Sequence, residues 1–318
     1  MSGGVQRQEK ERATDEVTEV APGVIRTQLP IDLPGLGHVN CYLLEDERGL
    51  AVVDPGLPDD ATYNALVSRL KTAGYKPDDI HTVVATHSHS DHYGGAWRLM
   101  DEHGAQLLTH TEFGSWVTAD EDDEFAEIEP LNEEGLPRPP WERFPKTAWG
   151  TRREPPPQIF VDEWYEKARQ GKASFVPDPT ITVRDTEVVK LARREWVAVH
   201  TPGHTFDHLC LYDPVEKIML SGDHVLPTIT PHVGGDDGDH DTLALFMDSL
   251  KRMHDFSDVE IVLPAHGHPF TDLAGRAGDI CDHHVERLDE IRDTAQSMET
   301  ATVTEYCLLY TSPSPRDS

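Results

Sequence analysis

The 318-residue sequence predicts an α/β protein. Three features carry that prediction. Short apolar runs rich in valine, isoleucine and leucine stop on turn residues, as strands do. Longer stretches with apolar residues at helical spacing lie between them. Several of the apolar runs are followed at once by histidine or aspartate, which would gather those side chains at one edge of a sheet.

Taken in order, VIRTQLP (24–30), NCYLLED (40–46) and LAVVDPG (50–56) read as strands, the last ending on Asp54-Pro55-Gly56. DDATYNALVSRLKTAGY reads as a helix, because Leu66, Leu70 and Ala73 share a face and Gly74 suits a C-terminal stop. IHTVVATH (80–87) reads as a buried strand, GGAWRLMDEHG as a helix and AQLLTH as a strand. Later, TITVRD, EVVKLA, WVAVHTPGH, LCLYD and KIMLSGDHV read as strands, TLALFMDSLKRMHDF as a helix and VEIVLPAHGH as a strand. A last helix begins near Asp279 and runs through HHVERLDEIRDTAQ. This rhythm falls into two halves, with no other internal repeat.

Between the halves, residues 113–180 differ in character. They hold the acidic run ADEDDEFAEIE, the proline-rich RPPWERFP and EPPPQ, and Trp116, Trp141, Trp149 and Trp164. A disordered segment carries few aromatics, so this stretch reads as an insertion that packs its aromatics locally, either lid-like over a site or a plain surface excursion. Residues 1–16 are polar and charged and read as a disordered leader, which leaves 17–295 as the domain. The tail CLLYTSPSPRDS (307–318) matches nothing before it. It resembles a translated adapter-like sequence and is expected to be foreign.

Composition narrows the function classes. The chain has 58 acidic and 28 basic residues, a formal net charge of -30. Such a surface repels phosphate backbones and disfavours a nucleic-acid partner. No stretch approaches the ~18 continuous apolar residues of a membrane span. The N-terminus lacks the apolar core of a secretion signal, so the expected location is cytoplasmic. Cys41, Cys210, Cys281 and Cys307 are far apart and suggest neither disulfides nor a thiolate metal site.

The stretch THSHSDH places His87, His89, Asp91 and His92 at the end of a strand. Three later signals match it: His204 in TPGHTFDH, Asp223 in LSGDHV and His266 in LPAHGHP, each after an apolar run. Neutral imidazole and carboxylate are good ligands for zinc and similar divalent ions. His87, His89 and His204 can form a three-nitrogen face, Asp91, His92 and His266 can hold a second ion, and Asp223 can bridge them. Two ions ~3.5–4 Å apart share a hydroxide near neutral pH and polarise a carbonyl or phosphoryl oxygen.

The pattern THSHSDH, TPGHTFDH, SGDH and PAHG resembles the metallo-β-lactamase superfamily, and within it the glyoxalase II-like and LACTB2-like hydrolases, thioesterases included. The resemblance spans about residues 20–295. It implies an αββα sandwich of two mixed sheets with helices outside. It also implies a binuclear metal site: His87, His89 and His204 on one ion, Asp91, His92 and His266 on the other, Asp223 between them. Asp91 would also orient the attacking hydroxide as the catalytic residue. The implied cofactors are two divalent ions, zinc first, with iron or manganese as alternatives. Asp223 stands where secreted zinc β-lactamases of the commonest class carry cysteine, which counts against an antibiotic-degrading enzyme. LACTB2-type relatives continue into a helical C-terminal segment, so residues 296–306 are expected to begin a truncated one.

The expected activity is cleavage of an acyl thioester or ester of a small molecule. The alternatives are a LACTB2-type endoribonuclease, a lactonase and a metal-binding protein without turnover. Asp54 resembles a position of the family that orients a ligand histidine. Gly94 and Gly95 are expected to allow close packing after the metal loop. His224 and His232 are candidates for substrate contact or solvated loop residues, and Tyr93 for a hydrogen-bond donor or a packing residue.

Overall fold

The computed structural model of the chain describes residues 7–33, 35–114, 158–169, 176–234, 241–297 and Thr302. The first half opens with β1 (Val17–Ala21), β2 (Val24–Leu33), β3 (Leu36–Asp46) and β4 (Gly49–Val53), an antiparallel meander. Then follow α1 (Asp60–Ala73), β5 (Ile80–Val84), the single turn α2 (Ser90–Tyr93), α3 (Ala96–His103), β6 (Gln106–His110), α4 (Gln158–Arg169) and β7 (Ile181–Val183). Strands β4, β5, β6 and β7 are parallel and complete a seven-stranded sheet in sequence order.

The second half contributes β8 (Val188–Leu191), β9 (Arg194–His200), β10 (Leu209–Asp213), β11 (Ile218–Gly222), α5 (Thr242–Arg252), β12 (Ile261–Pro264) and α6 (Leu273–Ser297). Its five-stranded sheet is antiparallel from β8 to β11, and β12 joins β11 in parallel.

Period-two alternation sorts the side chains into three apolar layers. On β3, Tyr42 and Leu44 face the second sheet, while Val39, Cys41 and Leu43 face α1 and α3. On β10, Leu209 and Leu211 face the first sheet, while Cys210 and Tyr212 face α5 and α6. Both sheets are buried on both faces, which explains why their strands read as nearly continuous apolar runs. The order helix, sheet, sheet, helix is the sandwich that the resemblance implied.

Local chemistry sets the element ends. The Asp59 carboxylate accepts from the Thr62 amide at 2.8 Å and caps α1, which ends on Gly74 in the left-handed region, φ 90°. Helix α6 starts at Leu273, well before the expected Asp279. Leu273, Ala277 and Ile280 bury one face of its first turns, and the Asp272 carboxylate accepts from the Gly275 amide at 3.0 Å. Gly275 and Gly278 hide this start in the sequence. Strand β1 was not expected, since it is a half-exposed edge strand carrying Thr18 and Glu19.

Residues 7–16 depart from the expected disordered leader. Glu9 is 3% exposed and accepts from the Thr228 hydroxyl, and Thr14 donates to Gln28 at 3.0 Å. Buried Arg69 reaches the Thr14 carbonyl at 3.1 Å and the Asp15 carboxylate at 2.6 Å. Polar side chains and backbone groups dock this segment, so it carries no apolar signature. The central part of the expected insertion, with Trp116, Trp141 and Trp149, lies outside the described residues, as does the tail 307–318. Within α4, Trp164 packs against Val161, Tyr165 and Ala168.

Candidate metal centre

The site lies where strand ends from both sheets meet. After β5 the chain turns through Thr86 to Tyr93, and α2 brings Asp91 and His92 beside His87. From the other sheet, the turn after β9 brings His204, the bend after β11 brings Asp223, and the residue pair after β12 brings His266. Gly94 and Gly95 let this loop lie against the chain after β4. A Cβ on Gly94 would come within 2.4 Å of the Pro58 ring, and one on Gly95 within 2.6 Å of the Pro55 carbonyl.

The seven expected residues form two groups, His87, His89, His204 and Asp223, and Asp91, His92 and His266, with the potential ligand atoms of each group within 4.8 Å of one another. In the first, His89 Nδ1 lies 2.9 Å from His87 Nε2 and 3.0 Å from His204 Nε2. In the second, the Asp91 carboxylate lies 3.6 Å from His92 Nε2 and 3.5 Å from His266 Nε2. Asp223 faces both groups: its Oδ2 is 3.5 Å from His204 Nε2 and 3.6 Å from His92 Nε2, and its Oδ1 is 3.4 Å from His266 Nε2. All but His89 are buried.

Three of these imidazoles turn the other nitrogen to a structural partner. His92 Nδ1 lies 2.9 Å from Asp54 Oδ2, which also accepts from the Thr86 hydroxyl at 2.9 Å. The expectation for Asp54 therefore matches the geometry. His204 Nδ1 donates to the His232 carbonyl at 2.5 Å, and His266 Nδ1 to the His38 carbonyl at 2.8 Å. That leaves the inward atoms His92 Nε2, His266 Nε2 and Asp223 Oδ1 buried with no hydrogen-bond partner. Such orphans are costly in a folded protein. Three of them converging on carboxylates and imidazoles fit a cation.

Charge sharpens the picture. Burial, followed by the neighbouring imidazoles of His92, His89 and His204, holds His87 well below the ordinary histidine range. Burial pulls His92 down too, but the carboxylates of Asp91, Asp223 and Asp54 outweigh it and lift His92 well above that range. Burial favours a neutral Asp223, yet His266 and His92 hold its carboxyl well below the usual value. The cluster thus keeps the Asp223 carboxylate ionised where it faces three imidazoles, a setting suited to a cation.

Three supports carried no functional assignment in the sequence reading. The Asn40 amide donates to the Pro264 and Gly267 carbonyls, both at 2.8 Å, and so brackets His266. His208 accepts the Asp223 amide at 3.0 Å and pairs with the Thr201 hydroxyl at 2.7 Å. His38 is fully buried beside the His266 loop. A polar residue within an apolar run is the one signal Asn40 offered. His224 is not a solvated loop residue: it is fully buried, packs against Phe246 and is pushed down to about 3 by burial. His232 is exposed, and its carbonyl serves His204. Tyr93 is 6% exposed and packs edge-on against Phe113.

Residues 34–266 match the family model described as Metallo-beta-lactamase superfamily, and the chain belongs to that superfamily. Acyl-coenzyme A thioesterase MBLAC2 of Gallus gallus is 24% identical over 73% of this chain and 74% of its own. The Homo sapiens protein of the same name is 26% identical over 59% of this chain and 58% of its own. The N-acyl homoserine lactonase of Bacillus cereus is 36% identical over 17% of this chain and 30% of its own. Among solved structures, a metallo-beta-lactamase family protein from Thermus thermophilus superposes with a TM-score of 0.69 at 27% identity, covering 92% of this chain and 89% of that one.

Proposed function

We propose that the protein is a binuclear metal-dependent hydrolase that cleaves an acyl thioester, or a closely related ester, of a small molecule. The observation that carries this is the convergence of three orphaned inward atoms, on His92, His266 and Asp223, with the His87, His89 and His204 nitrogens. In this reading His87, His89 and His204 hold one divalent ion, Asp91, His92 and His266 the other, and Asp223 lies between them. Zinc fits the nitrogen-rich set best, with iron and manganese as alternatives.

Such ions supply Lewis-acid polarisation of a carbonyl and acidify water. The chain's own residues do the rest. Asp91 orients the attacking water. Asp54 keeps His92 Nε2 pointing inward by accepting at Nδ1. The His232 and His38 carbonyls do the same for His204 and His266. Thioester chemistry is supported by the acyl-coenzyme A thioesterases of Gallus gallus and Homo sapiens, which align over 73% and 59% of the chain. The net charge of -30 weighs against the nuclease alternative. A lactonase is the second reading, favoured by the 36% identity of the segment shared with the Bacillus cereus enzyme. Hydrolysis of acyl-coenzyme A thioesters beside acyl homoserine lactones, in metal-loaded protein of measured metal content, separates the two. Turnover of neither by protein holding two ions per chain would overturn the hydrolase proposal.

Two further outcomes are expected. Stripping the metal with a chelator should lower the thermal midpoint, and added zinc should restore it. Each ion contributes about 2.7 kcal/mol at a free concentration 100 times its Kd. A midpoint indifferent to chelator would contradict a site of this kind. Asp54→Asn keeps the side chain's size but weakens the acceptor for His92. Metal affinity measured by competition should fall about 10- to 100-fold with the fold intact. An unchanged affinity would reduce Asp54 to a packing role.

A further inference from the structure

We infer that the N-terminal strap, residues 7–16, is part of the site's positioning machinery: acting through His38, it fixes the imidazole of His266 and so sets the affinity of the second metal position. This rests on the binuclear reading above.

The geometry is a relay of short bonds. His38 donates from Nδ1 to the Glu11 carbonyl at 2.7 Å, and its Nε2 accepts the Gly267 amide at 3.3 Å. Those two bonds hold one tautomer and one ring orientation. The carbonyl of the same residue accepts from His266 Nδ1 at 2.8 Å. The strap also grips the far side of the His266 loop. The Gln8 side chain accepts the His268 amide at 3.0 Å, and Glu11 Oε2 meets His268 Nε2 at 2.7 Å. Gly37 permits the approach, since a Cβ there would come within 2.3 Å of the Glu11 carbonyl. Glu9, 3% exposed, anchors the strap to Thr228.

The consequence is selective. His87, His89 and His204 receive none of these bonds, so loosening the strap should act on one half of the site. His266 would keep its chemistry but lose its fixed direction, and partners of this kind are worth about 10- to 100-fold in metal affinity.

The test compares the full chain with His38→Ala, His38→Asn and a deletion of residues 1–12, each titrated with zinc against a chromophoric chelator that resolves two affinities. Thermal unfolding of the same samples reports stability. His38→Ala and the deletion should each weaken one of the two affinities about 10- to 100-fold and leave the other unchanged. His38→Asn can still donate to the Glu11 carbonyl and should recover much of the loss. Combining the deletion with His38→Ala should add little, because both cut the same relay. The unaltered 318-residue chain with two ions, and variants with both affinities unchanged or both lowered alike, would overturn this inference alone. An unaltered 318-residue chain that binds no ion would overturn the binuclear reading with it.

Discussion

Asp223→Ala should abolish hydrolysis while leaving a folded protein. The Asp223 carboxylate faces both halves of the site, with oxygens 3.4–3.6 Å from His266, His92 and His204. Removing it leaves three histidine nitrogens without a shared counter-charge. It should also cost the site several kcal/mol of charge stabilisation, which is about a thousandfold or more in kcat/KM. Metal content should drop from two ions to one or fewer. The fold should survive, because the backbone amide of residue 223 still reaches His208. Circular dichroism would check the fold, elemental analysis the ions and a thioester assay the rate. A variant that keeps two ions and near-native turnover would refute the central role given to Asp223.

The second large effect concerns stability. Trp196 on β9 is fully buried between the sheets, and its indole N–H donates to the Leu191 carbonyl at 3.0 Å. Trp196→Ala removes the bulkiest fully buried side chain among the described residues, together with its hydrogen bond to that carbonyl. The expected loss is about 3–5 kcal/mol. At roughly 2–4 °C per kcal/mol, the midpoint should fall by about 6–20 °C. Trp196→Phe keeps an aromatic ring and should lose less than half of that. A loss under about 1 kcal/mol for the alanine variant would mean the inter-sheet layer tolerates a void of this size, contrary to dense packing.

Much of this molecule could be read from its sequence, for a physical reason. Strands buried on both faces advertise themselves as apolar runs, and metal-type ligands at their ends stand out against them. His87, His89, Asp91, His92, His204, Asp223 and His266 were therefore visible as a set, and the structure brings them together. What escaped were the groups whose meaning depends on distant partners. Asn40 is silent until the Pro264 and Gly267 carbonyls arrive from more than 220 positions away. His38 looks ordinary until Glu11 and Gly267 bracket it. The strap at 7–16 has no apolar pattern because its contacts are polar. Helix α6 hid its first turns behind two glycines.

The parallel pairing of β12 beside β11 bears on how the chain reaches its native state. The loop after β12 carries His266, far along the chain from His87. Contacts of such long range form late, because loop closure must come before they reward the chain. During synthesis the segment through His204 emerges well before β12. In the proposed assignment the three histidines of one ion all lie in that earlier segment, whereas the other ion waits for His266, so loading of that second position would report that β12 has docked. Uptake of the second ion, followed in time after dilution from denaturant, should lag behind the burial of Trp196 and so time-stamp the closing step of folding.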